Sequence, residues 1–126
     1  MMVFGNLTCN VYNLENGYSA KITYNSKSCE DIYITSRRLS SLYRKAAKNI
    51  YISFGDVAYK LFLDFYINVD SNMVRYIVMS NRTKKRLLKK EISYVRNQLN
   101  LNPEYSQKLK LLSKLNNLNI RINELR

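Results

Sequence analysis

At Ser36 the hydrophobic period of the chain changes from two to about 3.6 residues, a switch that points to strands followed by helices. Upstream, apolar and polar residues alternate on both sides of Asn16-Gly17, a dipeptide that suits the positive φ angles of a tight hairpin turn. Pairing outward from that turn sets Val11 against Ile22, Cys9 against Tyr24 and Asn13 against Ala20. One face then carries Leu7, Cys9, Val11, Ala20, Ile22 and Tyr24, and the other Thr8, Asn10, Tyr12, Lys21 and Thr23. A third strand is expected from Asp31 to Thr35, with Ile32 and Ile34 inward, after a polar loop from Asn25 to Glu30.

Downstream, Leu39, Leu42, Tyr43, Ala46, Ala47 and Ile50 form one face of a helix capped by Ser36. After a break around Asn49 to Ser53, Val57, Ala58, Leu61, Phe62 and Phe65 repeat the pattern. Short apolar runs fit either element, and Tyr59 to Val69 also reads as a strand pairing with Met73 to Met79. The favoured reading is a helix over Asp56 to Tyr66 and a strand over Val74 to Met79. Leu88, Ile92, Val95 and Leu99 line a helix that starts near Arg82, and Asn100 to Pro103 breaks it. Pro103 suits the first turn of the next helix, whose Leu111, Leu115, Leu118, Ile122 and Leu125 make an apolar seam. The expected fold is α+β: a small N-terminal antiparallel sheet (hairpin plus third strand) and four helices, the last two an αα-hairpin. Residues 1–126 read as one domain, made of 1–35, a mixed segment 36–81 and a helical segment 82–126. The Leu111 to Leu125 seam reads as core, with a homodimer interface as its alternative.

Composition narrows the function. With 46% hydrophobic and 24% charged residues the chain can build a core, which separates it from a disordered basic tail. It contains no His, and so lacks the commonest general base and metal ligand. There is no Gly-rich phosphate loop and no Cys-x-x-Cys, and the nine carboxylates form no spaced metal-ligand pair. The expectation is a non-catalytic protein without cofactor or metal. No run reaches the roughly 18 to 20 apolar residues that span a bilayer, and the first residues resemble no secretory signal. A cytoplasmic protein is expected, with Cys9 and Cys29 as small hydrophobes. High Asn, Ile, Lys and Tyr usage fits an AT-rich genome: a low-GC bacterium, a phage or a mobile element.

The net charge of +12 is unevenly placed. Residues 1–35 and 51–81 each carry −1, whereas 36–50 carry +5, 82–99 carry +6 and 100–126 carry +3. In 82–99 a single acid, Glu91, faces Arg82, Lys84, Lys85, Arg86, Lys89, Lys90 and Arg96. Like charges four apart on a helix repel, as Lys85 does Lys89 and Arg86 does Lys90, so an external polyanion is expected to relieve them. Phosphates are the natural candidate, because each neutralised phosphate releases counterions. The candidate contacts are Arg82, Lys84, Lys85, Arg86, Lys89 and Lys90, helped by Arg37, Arg38, Arg44, Lys45 and Lys48. A membrane surface suits the pattern less, since the apolar face lacks Trp and Phe.

Eleven tyrosines supply a second signal. Tyr12, Tyr18, Tyr33 and Tyr51 are candidates for exposed stacking platforms, while Tyr43, Tyr66, Tyr76 and Tyr94 read as core or core edge. Residues 31–66 also resemble a ribbon-helix-helix DNA-binding unit in their order of strand, helix and second helix. The resemblance implies that Tyr33 and Thr35 enter a major groove and that the start of the second helix, near Ser53 to Gly55, meets phosphate. It covers under a third of the chain, and Glu30 and Asp31 run against it. A helix-turn-helix reading fits less well, because its recognition helix would carry Asp56 and Asp64 against Lys60.

Two functions share this charge pattern. One is a small nucleic-acid-binding protein, for DNA or RNA. The other is a protein-interaction module, such as a phage-encoded anti-defence inhibitor docking on an acidic or nucleic-acid-binding surface of a host nuclease or ribonucleoprotein.

Overall fold

The computed structural model describes residues 2–4, 6–24 and 30–125. They form an α+β fold in two compact units, Met1–Val78 and Met79–Arg126. The first unit holds strands β1 (Met2–Phe4), β2 (Leu7–Leu14), β3 (Gly17–Tyr24) and β4 (Ile32–Ser36), then helices α1 (Leu39–Phe54), α2 (Asp56–Val69) and α3 (Ser71–Ile77). The second holds α4 (Asn81–Leu99) and α5 (Tyr105–Glu124).

The sheet is an antiparallel meander in the order β1-β2-β3-β4. The expected hairpin and third strand are present, with β1 added beside β2. The hairpin register differs from expectation by two residues: Val11 pairs with Ala20, Cys9 with Ile22 and Leu14 with Gly17. Glu15 and Asn16 therefore span the turn. A two-residue slip preserves the faces, so Leu7, Cys9, Ala20, Ile22 and Tyr24 are buried as expected. Ile32 and Ile34 are half-buried and Tyr33 is exposed, also as expected. Burial pushes the Cys9 thiol up to about 11, so it packs as a neutral hydrophobe. Cys29 and most of the 25–30 loop lie outside the described residues.

Gly17 takes φ +156, and a Cβ on it would lie 2.5 Å from the Ser36 carbonyl oxygen. That close approach to β4 explains the glycine. Gly17→Ala is expected to destabilise the first unit by about 2 kcal/mol, read as a lower urea midpoint. A wild-type midpoint would refute the assignment.

α1 lies across β3 and β4, α2 packs against β1 and β2, and α3 packs on both helices. Several boundaries differ from those expected. Ser36 ends β4 instead of capping α1, whose N-cap is Arg38 without a side-chain hydrogen bond. α1 runs through Asn49 to Ser53, because Ile50, Tyr51 and Phe54 extend its buried stripe. It stops at Gly55, where φ is +103 and the N–H reaches the Ile50 and Tyr51 carbonyls at 3.2 and 3.1 Å.

α2 is helical, as favoured, and runs on to Val69. Val74 to Met79 is not a strand. Asp70 caps α3 by accepting from the Asn72 N–H at 3.2 Å, and Ile77 is buried while accepting the Tyr59 hydroxyl on its carbonyl at 3.0 Å. The described residues therefore hold five helices where four were expected. An aromatic cluster fills the centre: Tyr43 stands 5.0 Å from Tyr66 and 6.5 Å from Phe62, and Tyr51 meets Tyr59 edge-on at 5.9 Å. Burial, then the hydrogen bond with Tyr43, push the Tyr66 hydroxyl far above its ordinary range.

In the second unit α4 and α5 pack together, giving the expected αα-hairpin. Leu88, Ile92, Val95 and Leu118 are buried. Leu99, Leu111, Leu115, Ile122 and Leu125 are half-buried. Pro103 lies just before the N-cap, Glu104, and not in the first helical turn. Asn102 makes the connection at φ +53, a left-handed conformation that Asn tolerates.

Candidate nucleic-acid interface

Ser80 starts α4 by accepting the Thr83 N–H on its hydroxyl at 3.2 Å. From that start, the buried Leu88, Ile92 and Val95 fix the rotation of the helix. Arg82, Arg86, Lys89, Lys90, Ser93, Arg96 and Asn97 then occupy the opposite, exposed side. The stripe from Arg82 to Arg96 is about 21 Å long at 1.5 Å per residue. Lys84 and Lys85 are half-buried, on the shoulders of the stripe.

The electrostatics of this face depend on where its helix places Glu91. That carboxylate turns toward α5 and accepts from Lys114 Nζ at 2.8 Å. Among the described residues no carboxylate pairs with Arg82, Lys85, Arg86, Lys89, Lys90 or Arg96. The single acid of α4 is thus committed to the hairpin, and the exposed side is left uniformly cationic. Residues 79–126 carry +9 of the +12.

Tyr94 was expected at the core edge, but it is 56% exposed. It lies four residues after Lys90, beside the cationic stripe. The sequence does carry a signal for this: Tyr94 falls off the 88-92-95-99 seam. A second feature was missed on α5, where Tyr105, Leu109, Leu112 and Ile120 form an exposed apolar stripe on the side away from Leu118.

The remaining candidates lie in the first unit and divide. Arg37, Arg38 and Lys45 line an open groove between the hairpin tip and the start of α1. Arg44 is held over the Tyr76 ring at 5.6 Å, a cation–π contact, and Lys48 is half-buried. Of the tyrosine platforms, Tyr12 and Tyr33 are exposed on the outer sheet face and Tyr18 is half-buried. Tyr51 is buried inside α1, because the helix continues past its expected end. The sheet's single cation, Lys21, lies 3.7 Å from Asp31, so this face lacks the charge that phosphates need.

Among the described residues no group of three or more His, Cys, Asp or Glu side chains could hold a metal. No helix among them is long and apolar enough to cross a membrane. Residues 31–66 keep the order strand, helix, helix, but their strand β4 belongs to a four-stranded sheet within the chain. The fold and the cationic face define a small α+β protein with a basic helical hairpin. No protein-family model, curated protein or solved structure matches the chain.

Proposed function

We propose that the chain is a non-catalytic, cytoplasmic nucleic-acid-binding protein that contacts phosphates through the exposed face of α4. The observation that supports this reading most is the Glu91–Lys114 pair, which leaves the opposite face without an acid. Arg82, Arg86, Lys89, Lys90 and Arg96 are the contacts, with Lys85 at the margin. Helical spacing suits a phosphate backbone, and nothing in this row of cations selects one base over another.

Salt dependence tests the reading. Five phosphate contacts give a plot of log affinity against log salt a slope of about −4.5 on duplex DNA and about −3.5 on single strands. A slope near zero on DNA and RNA alike would refute phosphate binding by this face.

The second reading, docking on an acidic protein surface such as that of a host nuclease or ribonucleoprotein, is favoured by the α5 stripe of Tyr105, Leu109, Leu112 and Ile120. A pull-down with and without nuclease treatment separates the two. A partner that persists after digestion supports protein docking, and loss of every partner supports nucleic acid.

A further inference from the structure

The groove in the first unit has a volume of about 610 Å³ and two chemically different walls. Leu14 and Tyr18 from the hairpin supply an apolar and an aromatic surface, while Arg37, Arg38, Ser41 and Lys45 supply three cations and a hydroxyl. No acidic residue lines it, and among the described residues no carboxylate pairs with Arg37, Arg38 or Lys45. Lys45 Nζ is fixed in place by donating to the Thr35 carbonyl at 2.9 Å, which leaves two of its three donors available. The first turn of α1 beside these cations contains no acid and has no side-chain cap, so its backbone donors add to the same positive potential.

We propose that this groove binds the phosphate monoester of a nucleotide, with the base against Tyr18 and Leu14 and the phosphate among Arg37, Arg38, Ser41 and Lys45. A groove of this size accommodates a mononucleotide. A doubly charged terminal phosphate suits a convergent set of donors better than the singly charged diester of a chain interior. The ligand is either a free nucleotide or the phosphorylated end of a polynucleotide. The proposal does not rest on the α4 face.

Titration calorimetry on the full chain tests it with AMP and adenosine as probes. The expected result is saturable one-to-one binding of AMP, with adenosine showing none. Arg37→Ala with Arg38→Ala should weaken AMP by about tenfold or more, since charge-assisted hydrogen bonds are lost. Ser41→Glu places an acid in the first turn of α1. It should abolish AMP binding while the thermal midpoint stays level or rises, because an acid there stabilises the helix. That opposition separates a binding role from a structural one. The variant Arg86→Glu/Lys89→Glu/Lys90→Glu should bind AMP as wild type does, which keeps the groove distinct from α4. In that background, a 5′-phosphorylated oligothymidylate binding better than its 5′-hydroxyl form identifies a strand end as ligand. AMP binding without that preference identifies a free nucleotide, and either result supports the groove. Equal binding of AMP and adenosine, no saturable binding of AMP or of the phosphorylated end, or wild-type affinity in both groove variants would overturn the proposal.

Discussion

Arg86→Glu/Lys89→Glu/Lys90→Glu is expected to lower affinity for DNA or RNA by about a hundredfold or more at about 0.15 M salt. Each reversal removes a phosphate contact and adds a repulsion, and about 1 kcal/mol per site already reaches that factor. The three side chains are exposed and none is ion-paired with a described residue, so the fold should survive. Stability should change little, because the repulsion between positions 86 and 90 persists with its sign reversed, while Arg82 and Lys85 each gain an acid four residues on. Lys85→Glu, on the half-buried shoulder, should cost less than Lys89→Glu. An electrophoretic mobility or anisotropy titration reads these differences directly. Wild-type affinity in the triple variant, with its circular dichroism unchanged, would remove α4 as the interface.

The second large effect concerns stability. Phe62→Ala should destabilise the first unit by about 3 to 5 kcal/mol, most of what a domain of this size commonly has. Phe62 is fully buried, stands 5.2 Å from Tyr66 and faces Tyr43, so truncation opens a cavity where α1 meets α2. Phe62→Leu keeps most of the volume and should cost less than half as much. Denaturant unfolding followed by near-ultraviolet circular dichroism measures both. Equal, small losses would mean that the cluster is looser than its geometry indicates.

Much of this architecture could be read from residue patterns, and the failures have identifiable causes. The period of two placed the hairpin faces correctly because face depends only on parity. The register was misplaced because Gly17 serves the approach of β4 and lies outside the two-residue turn. That is a long-range demand, invisible from the dipeptide alone. Val74 to Met79 is short and apolar, so its period is undecidable. What decides it is the Asp70 cap and the burial of Ile77, two facts of tertiary context. The site behaved similarly. Charge density located α4, whereas separating Arg86, Lys89 and Lys90 from the half-buried Lys84 and Lys85 required knowing how the helix is rotated. Glu91 looked like a lone counter-charge for its own helix, and its partner proved to be Lys114 on α5. Tyr94 reads as core edge, and the outer stripe of α5 does not stand out, because one apolar seam already accounts for each helix.

The bond from Lys45 to the Thr35 carbonyl has a consequence for how the protein behaves in concentrated solution. β4 is an edge of the sheet, and an open edge can template the addition of a strand from another molecule. Lys45 occupies one of the backbone acceptors of that strand, and Arg37 and Arg38 place charge at its end. A short strand shielded by a lysine and followed by two arginines is a poor template for chain-to-chain growth. The same cations that line the groove thus also guard the β4 edge against strand addition.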